Sequence, residues 1–115
     1  MSPRRYNQSL QDILDSISHI EDFVSEMEFD DFAADRKTVD AVIRNIEIIG
    51  EATKNIPIDI QEKYPDIPWS EMAKMRDKVI HGYFDIAYSI VWETIMNDLE
   101  PLKQRIQEII DDSKE

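Results

Sequence analysis

The stretch MRDKVIHGYF, Met75 to Phe84, gathers an arginine, one of the chain's two histidines, one of its two glycines and a tyrosine. Arginine presents a planar fork of donors matched to phosphate, and histidine is the side chain best suited to proton transfer near neutral pH. Together Arg76 and His81 suggest phosphoryl chemistry that needs no metal, driven by proton transfer and charge stabilisation. Lys74 and Lys78 flank them, making this one of the few basic spots on a chain of net charge −12.

Arg76 follows Trp69 by seven residues, Met72 by four and Ala73 by three, and precedes Ile80 by four, so it is expected to point where these apolar residues point. A guanidinium keeps its proton in a protein, and placing it there is costly unless it is paired or reaches a wet cleft. Two readings stay open. One is a structural ion pair, with Glu47 or Glu51 as partner, or a stem that packs while its head reaches water; the other is a cleft in which the arginine meets an anion.

His81 lies five residues beyond Arg76, about 140° round an ideal helix, so the two converge only if the last turn loosens toward Gly82. A histidine at a helix C-terminus also has an ordinary explanation, because the carbonyl end of the dipole favours an imidazolium. Tyr83 shares the face of Arg76 if the helix persists that far. A tyrosine with its hydroxyl in water is equally common at a half-buried helix end.

The elements that must position these residues are read from hydrophobic periodicity. Tyr6, Leu10, Ile13, Leu14, Ile17, Ile20, Val24 and Met27 recur at three and four, which predicts a first helix of about six turns. After an acidic break at EFDDFAAD, Asp35 is placed to cap a second helix carrying Val39, Val42, Ile43, Ile46, Ile49 and Ala52 and ending near Ile56. Within that helix Gly50 costs about 1 kcal/mol against alanine, which a closely crossing helix would justify.

Three of the five prolines fall in IPIDIQEKYPDIPW, which is therefore the main connection, with one short helical turn at Asp59 to Lys63. A third helix runs from Trp69 to a stop at Gly82. Asp85 then caps a long last helix that Pro101 kinks or divides. No repeat, low-complexity tract or alternating strand pattern stands out, so the expected fold is all-α, an antiparallel bundle of four main helices plus the short turn.

A chain of 115 residues with 42% apolar content suits one domain spanning 1–115. Two glycines and no cysteine exclude disulfide scaffolds, thiolate catalysis and cysteine-bound zinc. No signal peptide or membrane span is visible, and cytoplasm is the expected compartment. No histidine pair stands at ligand spacing, and the acidic pairs Asp30–Asp31 and Asp111–Asp112 fall in expected loop or tail, so neither a metal nor a cofactor is expected. Glycine-rich phosphate loops are absent and nothing supports a serine triad. The strong negative charge argues against a surface that attracts nucleic acid everywhere, so RNA would bind a local patch. His19, off the stripe of the first helix, is expected at the surface.

Arg76, four residues, His81, one residue and Tyr83 resembles the R-x4-H-x-Y signature of HepT-like proteins in the HEPN superfamily. The likeness extends to IIGEATKNI (Ile48 to Ile56), YPDIPW (Tyr64 to Trp69), RDKVIHGYFDI (Arg76 to Ile86) and the VWETI…DLEPLKQRI tail (Val91 to Ile106). The usual family text has asparagine after the arginine, where this chain has Asp77, a negative charge beside the proposed anion site. The resemblance implies an α-helical homodimer whose motifs face a shared cleft, and a metal-independent endoribonuclease, usually the toxin of a two-gene toxin–antitoxin module. Its partner would be a small nucleotidyltransferase antitoxin that adenylylates Tyr83 and silences the toxin.

On that implication Arg76 and His81 are the catalytic residues, RNA is the substrate, and Lys74, Asp77, Lys78 and Glu51 are supporting or RNA-binding candidates. Because each chain supplies one motif histidine, a two-fold dimer would supply both the proton acceptor and the proton donor for attack by a 2′-hydroxyl, leaving a 2′,3′-cyclic phosphate. A competing reading makes the protein a non-catalytic acidic dimer that binds the nucleotidyltransferase and is its substrate. A third makes it a structural adaptor with an ion pair at Arg76.

Overall fold

The computed structural model describes residues 3–81 and 85–113. The helical periodicity becomes α1 (Pro3–Phe23), α3 (Arg36–Lys54), α7 (Tyr88–Asn97) and α8 (Leu99–Ser113), with four shorter helices: α2 (Phe29–Ala34), α4 (Ile58–Lys63), α5 (Trp69–Ala73) and α6 (Met75–Val79). The fold is all-α, as expected. The only extended pairing among the described residues is two residues long: β1 (Ile80–His81) lies antiparallel to β2 (Asp85–Ile86), with Ile80 opposite Ile86.

The main axis of the fold is α1 packed along α3, with α8 also against α1 and with α5 and α6 against α3. Leu10, Ile13, Ile17 and Ile20 of α1 meet Val39, Val42, Ile46 and Ile49 of α3, and all eight are fully buried. Their spacing of three and four puts each set on one stripe, so a single apolar seam forms where the helices meet. Asp35 caps α3 as the sequence predicts, accepting a hydrogen bond from the Thr38 N–H at 3.2 Å.

Three expectations about the elements are corrected and a fourth is narrowed. The acidic break contains α2, whose start is closed by a reciprocal cap between Glu28 and Asp31 and whose Phe32 is fully buried. The third helix, expected as one piece from Trp69 to Gly82, breaks at Lys74 and gives way to β1 after Val79. The stop assigned to Gly82 lies outside the described residues. Asp85 does not cap the last helix: it belongs to β2, and Ala87 occupies the N-cap of α7. Of the two outcomes expected for the long last helix, division is the one found, but the break falls at Asp98, which places Pro101 third in α8, where a backbone N–H would have no partner within the helix.

Candidate functional site

The break at Lys74 decides where the arginine goes. The Lys74 N–H bonds to the Glu71 carbonyl at 3.2 Å and the Asp77 N–H to the Lys74 carbonyl at 3.0 Å, both i to i−3 bonds that wind the chain more tightly than an α-helix. The buried stripe therefore runs Trp69, Met72, Met75, Val79, and Met75 takes the place that an unbroken helix would give Arg76. At about 100° per residue, Arg76 and Lys78 lie on opposite flanks of this stripe, Lys74 lies on the flank of Lys78, and Asp77 crowns the outer side of α6. All four are exposed.

On its flank Arg76 faces α3. Its Nε stands 3.6 Å from Glu47 Oε2, an ion pair longer than a hydrogen bond, with the two side chains 52% and 37% exposed. Of the two partners the sequence offered, Glu47 takes the arginine. Glu51 instead pairs with Lys54 of its own helix at 3.2 Å. What holds α5 so near α3 is Gly50: a Cβ built there would lie 3.3 Å from the Ala73 carbonyl oxygen and 3.6 Å from that of Met72, so the crossing needs a residue without a side chain.

On the other flank Lys74 and Lys78 border an open groove of about 770 Å³ between α5–α6 and the α7–α8 junction. Met72, Met75, Ile67 and Leu102 contribute its apolar lining. The structure thus separates two sets of residues that the sequence grouped: Arg76 faces α3, whereas both lysines face away from it. The far wall includes Arg105, whose guanidinium forks onto Asp66 at 2.7 and 3.2 Å and also reaches Glu108 at 2.9 Å. This fork holds the Asp66 carboxyl below its usual range and fastens the proline-rich connection to α8. Local patterning gave no signal for the groove, because its walls come from two separate segments, one ending at Lys78 and the other starting at Thr94.

The His81 imidazole and the whole of Tyr83 lie outside the described residues; the backbone of His81 is the last position of β1. His19 is exposed, as expected, with its ring beside Phe23 on α1. Among the described residues no helix is long and apolar enough to cross a membrane, and no group of three histidine, aspartate or glutamate side chains is arranged to hold a metal ion.

With this geometry established, the chain can be set beside known proteins. The model of the family described as "Ribonuclease HepT-like" matches residues 13–109, which include the whole R-x4-H-x-Y motif. The chain belongs to this family. It is thereby a HepT-like protein of the HEPN superfamily and an enzyme of the ribonuclease class. It is 50% identical over 103 residues to a "Putative RNase" of Methanocaldococcus jannaschii, covering 90% of this chain and 85% of that one. It is 47% identical over 106 residues to the "Probable ribonuclease HepT" of Thermococcus cleftensis, covering 92% of this chain and 96% of that one. No solved structure matches.

Proposed function

We propose that this HepT-like protein is a metal-independent endoribonuclease that works as a homodimer, and that it is the toxin of a two-gene module in the cytoplasm. The observation that carries the reading is the state of Arg76. In a chain of a ribonuclease family it is half exposed and, among the described residues, held only by a long, solvated ion pair, so a phosphate can replace Glu47 at little cost.

The chemistry follows from the residue types. One His81 takes the proton of a 2′-hydroxyl as that oxygen attacks the adjacent phosphorus. The 5′-oxygen leaves with a proton from His81 of the partner subunit, giving a 2′,3′-cyclic phosphate and a free 5′-hydroxyl. Arg76 stabilises the charge that builds on the phosphoryl oxygens. Lys74 and Lys78, on the opposite flank from Arg76, are candidates for binding the RNA rather than for the chemistry, Glu51 is a supporting candidate, and Asp77 opposes strand binding. Silencing would come from a nucleotidyltransferase antitoxin: the Tyr83 hydroxyl gives up its proton to a base or to solvent as its oxygen attacks the α-phosphorus of ATP, pyrophosphate leaves, and the added nucleotide occupies the cations of the site.

The test is RNA cleavage by purified protein with end-group analysis for a cyclic phosphate. Loss of cleavage in both Arg76→Ala and His81→Ala, with the helical circular dichroism intact, supports the reading; cleavage that persists in His81→Ala overturns it. A second reading has its own support in the net charge of −12 and in the Asp77 carboxylate beside Arg76: a non-catalytic dimer that serves only as the nucleotidyltransferase's substrate. Under that reading no cleavage is found, yet incubation with the partner and ATP adds a nucleotide mass that Tyr83→Phe abolishes.

A further inference from the structure

The groove on the far flank of α6 has no part in the chemistry at Arg76, and we infer that it is a nucleotide-binding subsite, with Lys74 and Lys78 holding a phosphate and Pro68, Pro101 and the floor at Met75 and Leu102 receiving a base. The inference deepens the ribonuclease reading where the nucleotide belongs to the bound strand, and it stands apart from that reading where the nucleotide is free.

Several observations meet here. The volume, about 770 Å³, is that of a small-molecule site. The Lys78 N–H bonds to the Lys74 carbonyl at 3.3 Å, so the two lysines are one helical turn apart and reach the same rim. Among the described residues neither has a carboxylate at ion-pair distance, and of the three groove-lining cations only Arg105 does; Lys37, Arg44 and Lys63 also lack an ion pair but do not line the groove. On a chain of −12, two lysines with no ion pair among the described residues, beside a concavity, form a local anion site. Screening over about 8 Å at physiological salt keeps the remote carboxylates from cancelling them.

The acidic residues of the groove do not remove this site. Asp66 is neutralised by the Arg105 fork. Glu71 and Asp98 also line the groove, as acceptors suited to sugar hydroxyls or to an exocyclic amine rather than to phosphate. The apolar lining selects among anions. Methionine thioethers contact aromatic rings favourably, so a flat base over the groove floor at Met75 gains what an inorganic anion cannot. A nucleotide carries both the base and the charge.

The experiment uses the full chain labelled with 13C at the methionine methyls, titrated with AMP, with UMP and with a 2′-O-methylated hexanucleotide that cannot be cut. The expected result is movement of the Met75 methyl resonance, with Met27 and Met96 unmoved. Binding should weaken roughly tenfold or more in Lys74→Gln/Lys78→Gln, a pair of exposed changes. For the strand, the slope of log K against log salt should fall by about 1.4, two contacts at about 0.7 each.

Lysine-dependent binding of AMP or UMP assigns the groove to free nucleotide; lysine-dependent binding of the strand alone assigns it to a substrate residue. No binding of either, or binding that ignores the two lysines, overturns the inference. Cleavage of an unmodified strand by the wild-type protein is followed in parallel. Lysine-dependent binding without cleavage sinks the nuclease reading and leaves the groove, while cleavage with lysine-independent binding sinks the groove and leaves the nuclease.

Discussion

Arg76 Nε and Glu47 Oε2 face each other at 3.6 Å across the α6–α3 contact, both in water over much of their surface. A pair of this kind contributes at most about 1 kcal/mol, because solvent screens it and two long side chains must be held still. Glu47→Gln should therefore shift the urea midpoint only slightly. The same change frees the guanidinium from its competitor, so RNA affinity should rise several-fold, and adding Arg76→Ala to both proteins should erase the difference between them. Equal affinities for wild type and Glu47→Gln at matched ionic strength would show that Arg76 does not meet the RNA.

Asp77 crowns α6 between Arg76 on one flank and Lys74 and Lys78 on the other, exposed to solvent. An RNA strand lying across the helix passes this carboxylate. Asp77→Asn, which restores the residue usual in the family, removes one like-charge opponent and should tighten strand binding several-fold at low salt, with the gain shrinking as salt rises. Filter binding at two ionic strengths reads this directly. Stability should stay close to wild type, as is usual for an exposed side chain.

The bundle was legible because each long helix has an apolar stripe that periodicity exposes, and the Asp35 cap was legible because its chemistry is local. The arginine was not. Assigning Arg76 to the buried face assumed one uninterrupted helix from Trp69, and two i to i−3 hydrogen bonds around Lys74 rotate the chain so that Met75 is buried instead. Nothing in the run Lys74, Met75, Arg76 announces such a turn; it is imposed by packing α5 on Gly50 while α6 reaches toward α7. The groove was hidden for a similar reason, since Met75 and Leu102 meet only after the chain has folded back.

Gly50 gives a sharper test of that packing. Alanine improves helix propensity by about 1 kcal/mol, but its methyl would sit 3.3 Å from the Ala73 carbonyl oxygen, a backbone atom. Overpacking of this order costs about 1–3 kcal/mol, so the clash should win and Gly50→Ala should destabilise by about 1 kcal/mol. Gly50→Val should cost more and displace α5. Because α5 leads directly into α6, both variants should also perturb amide resonances from Met75 to Val79, whereas a purely local effect would leave them in place.

Acid stability should depend on Asp35. The Thr38 hydroxyl, and after it the Thr38 N–H, hold the Asp35 carboxyl below its ordinary value of 3.8. A folded-state pKa below the unfolded one means that the unfolded chain takes up protons first as pH drops. The stabilisation is thus present above the ordinary carboxylate range and is lost as pH falls through the lowered value. Asp66, held down by Arg105, works in the same sense. Asparagine caps a helix about as well as aspartate but does not titrate there. Asp35→Asn should accordingly keep most of the stability at neutral pH while its urea midpoint declines less steeply than wild type below about pH 4. Parallel acid limbs for the two proteins would mean that the Asp35–Thr38 contact at 2.8 Å does not persist in solution.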